Sequence, residues 1–255
     1  MAVTLTRDDE IDHLAHLRLD AGQLNLLSPA VLEELHETIR SVPDDVAVLT
    51  IAGADDGLTA GLKLDAVREC STTEARAVLS DLYGAMDALR DLSAVTICGC
   101  GGYALGAGLE LAMACDFRVA TSDAALGLPE IDVGLVTGIH GGLLIRLVGL
   151  QRAKELVYTG ETITGEHAAE IGLVNRAVGA DEHDEAVTQL VDRVADKSPL
   201  VLQYQSEVFA AWRSAGIERG IDSTLETIAA CFDTADQYEG MTAFLEDREP
   251  TFTGE

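Results

Sequence analysis

Five glycines stand within the ten residues from Gly99 to Gly108, and the run leads straight into Glu110. Glycine at this density lets main chain approach another molecule closely, because no Cβ intervenes. Two chemistries use such a segment. Backbone N–H groups at a helix start cradle phosphates in nucleotide-binding loops. Here Gly106-Ala107-Gly108 does not continue into G-x-G-x-x-G, and the phosphate-loop lysine is absent. The other use is an oxyanion hole, in which fixed donors meet negative charge developing on a carbonyl oxygen. That hole needs a second donor from elsewhere. The loop Leu58 to Leu62 follows an apolar run, Val46 to Ile51, and a parallel neighbour would deliver its loop to the same sheet edge.

These segments need a scaffold, and the patterning supplies one. The first twenty residues alternate as strands do, with Ala15, Leu17 and Leu19 on one face, and a hairpin is expected around Arg7 to Glu10. Ser28-Pro29 opens a helix with Val31, Leu32, Leu35 and Ile39 on one side, and Pro43-Asp44-Asp45 closes it. The strand Val46 to Ile51 leads into a Gly- and Asp-rich loop through Gly61. A long helix then carries Leu79, Leu82, Met86 and Leu89, and strands follow at Val95 to Cys98 and Phe117 to Ala120. Strand, loop, helix, strand is the order of an α/β fold with parallel pairing. Beyond about Gly149 the strand signals fade and helical stripes dominate, such as Ile217, Ile221, Leu225, Ile228 and Phe232. Phe209 and Trp212 read there as packing residues.

With 255 residues, 47% of them hydrophobic, the chain has ample material for one large core. Its 44 acidic residues face 17 basic ones, three of them lysines (Lys63, Lys154, Lys197), for a net charge of −27. Phosphate backbones and anionic membrane surfaces are repelled by such a chain, so neither nucleic acid nor membrane is an expected partner. The acids are spread along the sequence, which favours adaptation to a salty cytoplasm over an acidic docking tail. No leader or uncharged run of membrane-spanning length is evident, so a cytoplasmic location is expected. Five cysteines without CxxC spacing suggest buried thiols and no metal site.

Tyr103 to Asp116 closely resembles the signature of the enoyl-CoA hydratase/isomerase (crotonase) family: a Gly-rich turn, Glu110, a small-residue helix and Cys115-Asp116. Leu126-Gly127-Leu128-Pro129-Glu130 resembles its second carboxylate motif. Asn25 to Pro29, Leu58 to Gly61, Arg146 to Gly149, Tyr158 to Gly160, Ala168 to Val174 and Glu239 to Pro250 match in the family's order, so the resemblance spans nearly the whole chain. It implies an α/β spiral of ββα units over residues 1–190 and a C-terminal helical region over 191–255 that covers the core or joins a homotrimer or homohexamer. It also implies an acyl-CoA thioester substrate whose carbonyl sits between the N–H groups of Leu62 and Ala107, with Ala60, Gly61, Lys63, Leu64, Gly106, Gly108, Pro129, Gly138, His140 and Arg248 as further contacts. No cofactor beyond the substrate's own coenzyme A, and no metal, is implied.

Family hydratases use two glutamates, whereas its isomerases commonly keep only the later one. Glu110 and Glu130 occupy both places. By this analogy Glu110 activates water and Glu130 protonates Cα. Two neighbouring carboxylates in a water-poor cleft titrate as a pair, so acid and base coexist near neutrality. In so acidic a chain, a single glutamate outside such motifs is ordinarily a solvated surface group. Some positions depart from the family. Lys63 stands where Asp is frequent, Asp65 and Asp247 replace lysines near the coenzyme A phosphates, and Thr137 replaces a proline; Lys63 and Arg248 are candidate substitutes for the lost cations. His140 either lines the acyl pocket, joins the acid–base chemistry, or simply hydrogen-bonds to its Gly-rich loop. Besides hydration, a double-bond isomerase and a non-catalytic acyl-CoA-binding protein remain open readings.

Overall fold

The computed structural model describes residues 1–54 and 56–255, and the side chains of all of these except 222 and 223. Residue 55 of the Gly- and Asp-rich loop therefore lies outside the described residues. The chain runs β1 (Val3–Arg7), β2 (Leu14–Leu19), α1 (Pro29–Arg40), β3 (Val48–Gly53), α2 (Leu64–Val67), α3 (Thr72–Asp91), β4 (Val95–Leu105), α4 (Ala107–Ala114) and β5 (Phe117–Gly127). A 3-10 turn (Pro129–Val133) leads to α5 (Leu143–Val148), α6 (Leu150–Thr159), α7 (Gly165–Glu170) and β6 (Arg176–Val178). Then come α8 (His183–Ala195), α9 (Pro199–Ala215), α10 (Ile217–Ser223), α11 (Leu225–Ala230) and α12 (Ala235–Glu246).

Among the described residues the six strands form one sheet in chain order. The β1–β2 hairpin is antiparallel, with Leu5 opposite Leu17, and every later pair is parallel. Parallel neighbours need crossovers, which α1, α3, α4 and the α5–α7 segment supply. The ends of α1 and α3 are where their capping residues put them. Ser28 Oγ accepts from Val31 N ahead of Pro29, and Ser71 forms a reciprocal capping box with Glu74.

β4 and β5 are each 11 residues long, and their register shifts between Gly99 and Gly101 and again between Gly101 and Tyr103. Such bulges bend a strand pair. The first halves lie in the main sheet, while Tyr103–Leu105 and Ala125–Gly127 turn into a second small layer. Thr59 bridges to Ala104 and Ile163 to Leu126 in that layer. The Gly-rich segment is the bend itself.

Three expectations need correction. Leu79 lies on the outer side of α3 at 43% exposure, so the buried stripe is Val78, Leu82, Ala85, Met86 and Leu89. The last third is not purely helical, because β6 pairs with β5 over three residues. The 190/191 boundary falls inside α8, whose Ala186, Leu190, Val191 and Ala195 pack on Leu14, Val48, Ile97 and Val119 of the sheet. Leu202 of α9 packs on the same cluster, so packing marks no division at this point. Phe209 and Trp212 do pack together, edge to face at 5.4 Å.

Candidate active site

All eight residues of α4 are buried, and Glu110 is the helix's one ionisable side chain. A helix that is apolar on every side is a core element. Glu110 is consequently held at 4% exposure. Burial pushes its carboxyl up from 4.5 to about 8, and the charge of Glu130 adds to the rise. The main-chain N–H groups of Gly141 and His140 work the other way by favouring the anion. That of Gly141 donates to Glu110 Oε1 at 2.5 Å.

Glu130 reaches the same place from the opposite side. Pro129 starts the 3-10 turn that carries it, and Leu128 anchors that turn in the core. Its Oε2 accepts from the Thr137 hydroxyl at 2.9 Å, while its Oε1 lies against Gly106, where a Cβ would come within 2.9 Å. Gly106 has φ +53°, a second reason for glycine there. The Thr137 methyl packs on Gly141, so one loop, Thr137 to Gly142, holds both carboxylates. The structure brings Glu110 and Glu130 to one place, and adds Thr137 and Gly141, which the sequence reading does not single out as their holders. Thr137, where the family resemblance leads one to expect proline, was the available signal.

The donors lie along the seam between α4 and the loop before α2. Ala107 is the first residue of α4, so its N–H has no acceptor within the helix. Leu62 bridges to Leu27 in parallel fashion: Leu27 N donates to Gly61 O, and Lys63 N donates to Leu27 O. The alternation of an extended strand then turns the N–H of Leu62 away from Leu27. A Cβ on Gly61 would stand 2.8 Å from Leu105 O and 3.4 Å from Ala107 N, and one on Gly108 only 2.2 Å from Thr59 O. The absence of side chains at these two positions is what lets loop and helix touch. Beneath them the buried Asn25 donates to Leu58 O, and the Thr59 hydroxyl donates to Asn25 O while accepting from Gly61 N.

Ala60 donates to Leu24 O in the same loop, and Lys63 and Leu64 sit exposed beside Leu62 at the start of α2. Among the described residues no carboxylate pairs with Lys63. Gly138 accepts from Gly141 N and shapes the carboxylate-holding loop. His140 turns its ring away from the dyad onto Tyr83, with ring centroids 5.7 Å apart. Arg248 is engaged elsewhere: its guanidinium donates to both carboxylate oxygens of Glu239 and to Glu246.

A buried carboxyl and a half-buried neighbour, next to main-chain donors with no partner among the described residues, equip a protein for proton transfer at carbons activated by a carbonyl. The chain belongs to the enoyl-CoA hydratase/isomerase family, whose model matches residues 10–255. It is 36% identical over 236 residues to the crotonyl-CoA hydratase of Syntrophomonas wolfei subsp. wolfei, covering 90% of both proteins. It is 31% identical to a short-chain-enoyl-CoA hydratase of Clostridium acetobutylicum, covering 89% of this chain and 88% of that protein. The crystal structure of an enoyl-CoA hydratase from Bacillus anthracis superposes with a TM-score of 0.92 at 30% identity over the full length of both chains. The α/β spiral is therefore the crotonase fold.

Proposed function

We propose that this protein is an enoyl-CoA hydratase, adding water across the 2,3 double bond of a trans-2-enoyl-CoA. The observation that carries the reading is the buried Glu110 in the electrostatic field of the half-buried Glu130, set beside the amides of Ala107 and Leu62. Those amides receive the thioester carbonyl and stabilise the enolate oxygen as charge moves onto it. In hydration Glu110 takes a proton from water as the hydroxyl bonds to Cβ, and Glu130 gives a proton to Cα. One proton leaves the pair and one returns, so the dyad is singly protonated before and after.

Burial rests that proton on Glu110 in the free protein. This is the state that hydration leaves behind and the state from which dehydration of a 3-hydroxyacyl-CoA starts. Before each hydration the proton must pass to Glu130, and a water between the two carboxylates is the natural carrier.

No cofactor beyond the substrate's coenzyme A enters the scheme. Lys63, beside Leu62 and without a carboxylate partner among the described residues, is the cation we assign to coenzyme A phosphate, a task for which Arg248 is already occupied. Exposed apolar side chains on α10 to α12, among them Ile217, Leu225, Phe244 and Leu245, support assembly into a homotrimer or homohexamer. The acidic surface fits a salty cytoplasm, and among the described residues no helix is long and apolar enough to cross a membrane. Loss of the enoyl-thioester absorbance of crotonyl-CoA, followed with and without molar KCl, tests the reaction. Glu130→Gln should slow it at least about a hundredfold. Turnover of a 3-enoyl-CoA but not of crotonyl-CoA would instead identify an isomerase, and binding without turnover a non-catalytic protein. Light scattering at three or six times the chain mass tests the assembly.

A further inference from the structure

Behind the loop that holds Glu110 lies a cavity of about 370 Å³, walled by α3, α5 and α9. Its charged lining is unusual for so acidic a chain: Arg90, Arg146 and Arg213 face it with one carboxylate, Asp87. Arg213 is anchored, donating to Arg90 O at 2.6 Å and to Asp91 at 2.5 Å. Among the described residues neither Arg90 nor Arg146 has a hydrogen-bond or ion-pair partner for its guanidinium. The three sit close enough that Arg213 and Arg146 hold Arg90 below the usual arginine range, after the effect of burial. Like charges gathered around a hollow, with too few carboxylates to neutralise them, create a field that an anion relieves.

A second observation points the same way. His140 also lines this cavity, is 4% exposed, and its Nδ1 is buried with no hydrogen-bond partner. Among the described residues only one other buried side-chain polar atom, Trp212 Nε1, lacks a partner, so the bare Nδ1 calls for an explanation, and an unplaced ion is one of the usual answers. Burial and the neighbouring arginines keep the ring neutral by lowering its pKa, so it can donate one N–H to an acceptor. The cavity shares no residue with the Leu58 to Leu64 loop, so it is not an extension of the thioester seam.

We propose that this cavity is an anion site for a small soluble oxyanion, carrying phosphate or carboxylate groups, and that its occupant stiffens the His140–Gly141 turn on which Glu110 rests. Guanidinium forks suit either group, since both present paired oxygens. The connection to the dyad is one peptide long: His140 bears the side chain that faces the anion, and the next N–H donates to Glu110.

Calorimetric titration of the full chain at ionic strength fixed with KCl tests the site, using inorganic phosphate in one arm and citrate in the other. Saturable binding of one anion per chain is expected. Arg146 is exposed, so Arg146→Gln should fold normally and weaken binding by about tenfold or more, the loss of one charged hydrogen-bond partner. Binding of phosphate alone, or of citrate alone, identifies the group recognised. No saturable heat in either arm, or binding that Arg146→Gln leaves unchanged, overturns the proposal. The link to the dyad is read by hydrogen exchange of the segment 137–146, which should slow when the effective anion is added to the parent and not to Arg146→Gln. Unaltered exchange at saturation overturns the link. Neither readout depends on turnover, so the outcome is separate from the hydratase reading.

Discussion

Replacing Glu110 with glutamine should make the protein more stable as it destroys activity, and the gain should depend on pH in a defined way. The folded state raises the Glu110 carboxyl from 4.5 to about 8. It therefore holds that proton more tightly than the unfolded chain does. A raised pKa contributes stability that is complete below pH 4.5 and is lost as pH climbs through 8. A rise of about 3.5 pH units at about 1.4 kcal/mol each puts the full loss near 5 kcal/mol above pH 8, and near 3 kcal/mol at pH 7. Glutamine does not titrate, and its Oε1 can still accept from Gly141 N, so Glu110→Gln escapes this loss. Denaturant unfolding of parent and variant at pH 4.5, 7 and 9, at one KCl concentration, should give a difference that starts near zero and widens in favour of the variant. A difference flat with pH, or a variant less stable than the parent at pH 9, would refute the claim that Glu110 is ionised against a desolvation cost.

Four further outcomes follow from the same geometry. kcat/KM for hydration should fall above about pH 8, as the pair loses its last proton and nothing remains to protonate Cα; a rate still rising at pH 9 contradicts the shared-proton scheme. Thr137→Val keeps the volume but removes the hydroxyl that donates to Glu130. Steady-state kinetics should show kcat down about tenfold or more with KM little changed, as for loss of a hydrogen bond to a charged group. Gly141→Ala would set a Cβ 2.3 Å from the Thr137 methyl and 3.0 Å from Glu110 Oε1. It should cost activity through a displaced loop while circular dichroism stays unchanged. With a net charge of −27, the melting temperature should rise as KCl increases from millimolar to molar, and a flat response would remove the case for a salt-adapted surface.

What could be read from the sequence divides along a physical line. Short-range signals survived: Ser28-Pro29 does begin a helix, Ala15, Leu17 and Leu19 do face the core, and the Gly-rich run does end at a buried Glu110. Signals that need three-dimensional register did not. Gly141 reaches Glu110 across 31 positions, and Thr137 reaches Glu130 through a loop whose course no periodicity describes. β6, at three residues, is too short to alternate, and exists because β5 offers it a free edge. Arg248 was expected at the coenzyme A phosphates, yet Glu239 and Glu246 lie close along the chain and satisfy it locally.

The most informative feature combines both kinds of signal. Ala107 to Ala114 is apolar on every face except for one glutamate. Hydropathy alone places such a helix in the core, where an unpaired carboxylate is among the costliest groups to keep. Nothing in α4 compensates for it. The relief comes from the Gly141 and His140 amides and from the option of staying protonated, and both depend on a loop some thirty positions away. A carboxyl kept where it must share its proton with a neighbour is poorly suited to holding a fold together and well suited to moving that proton.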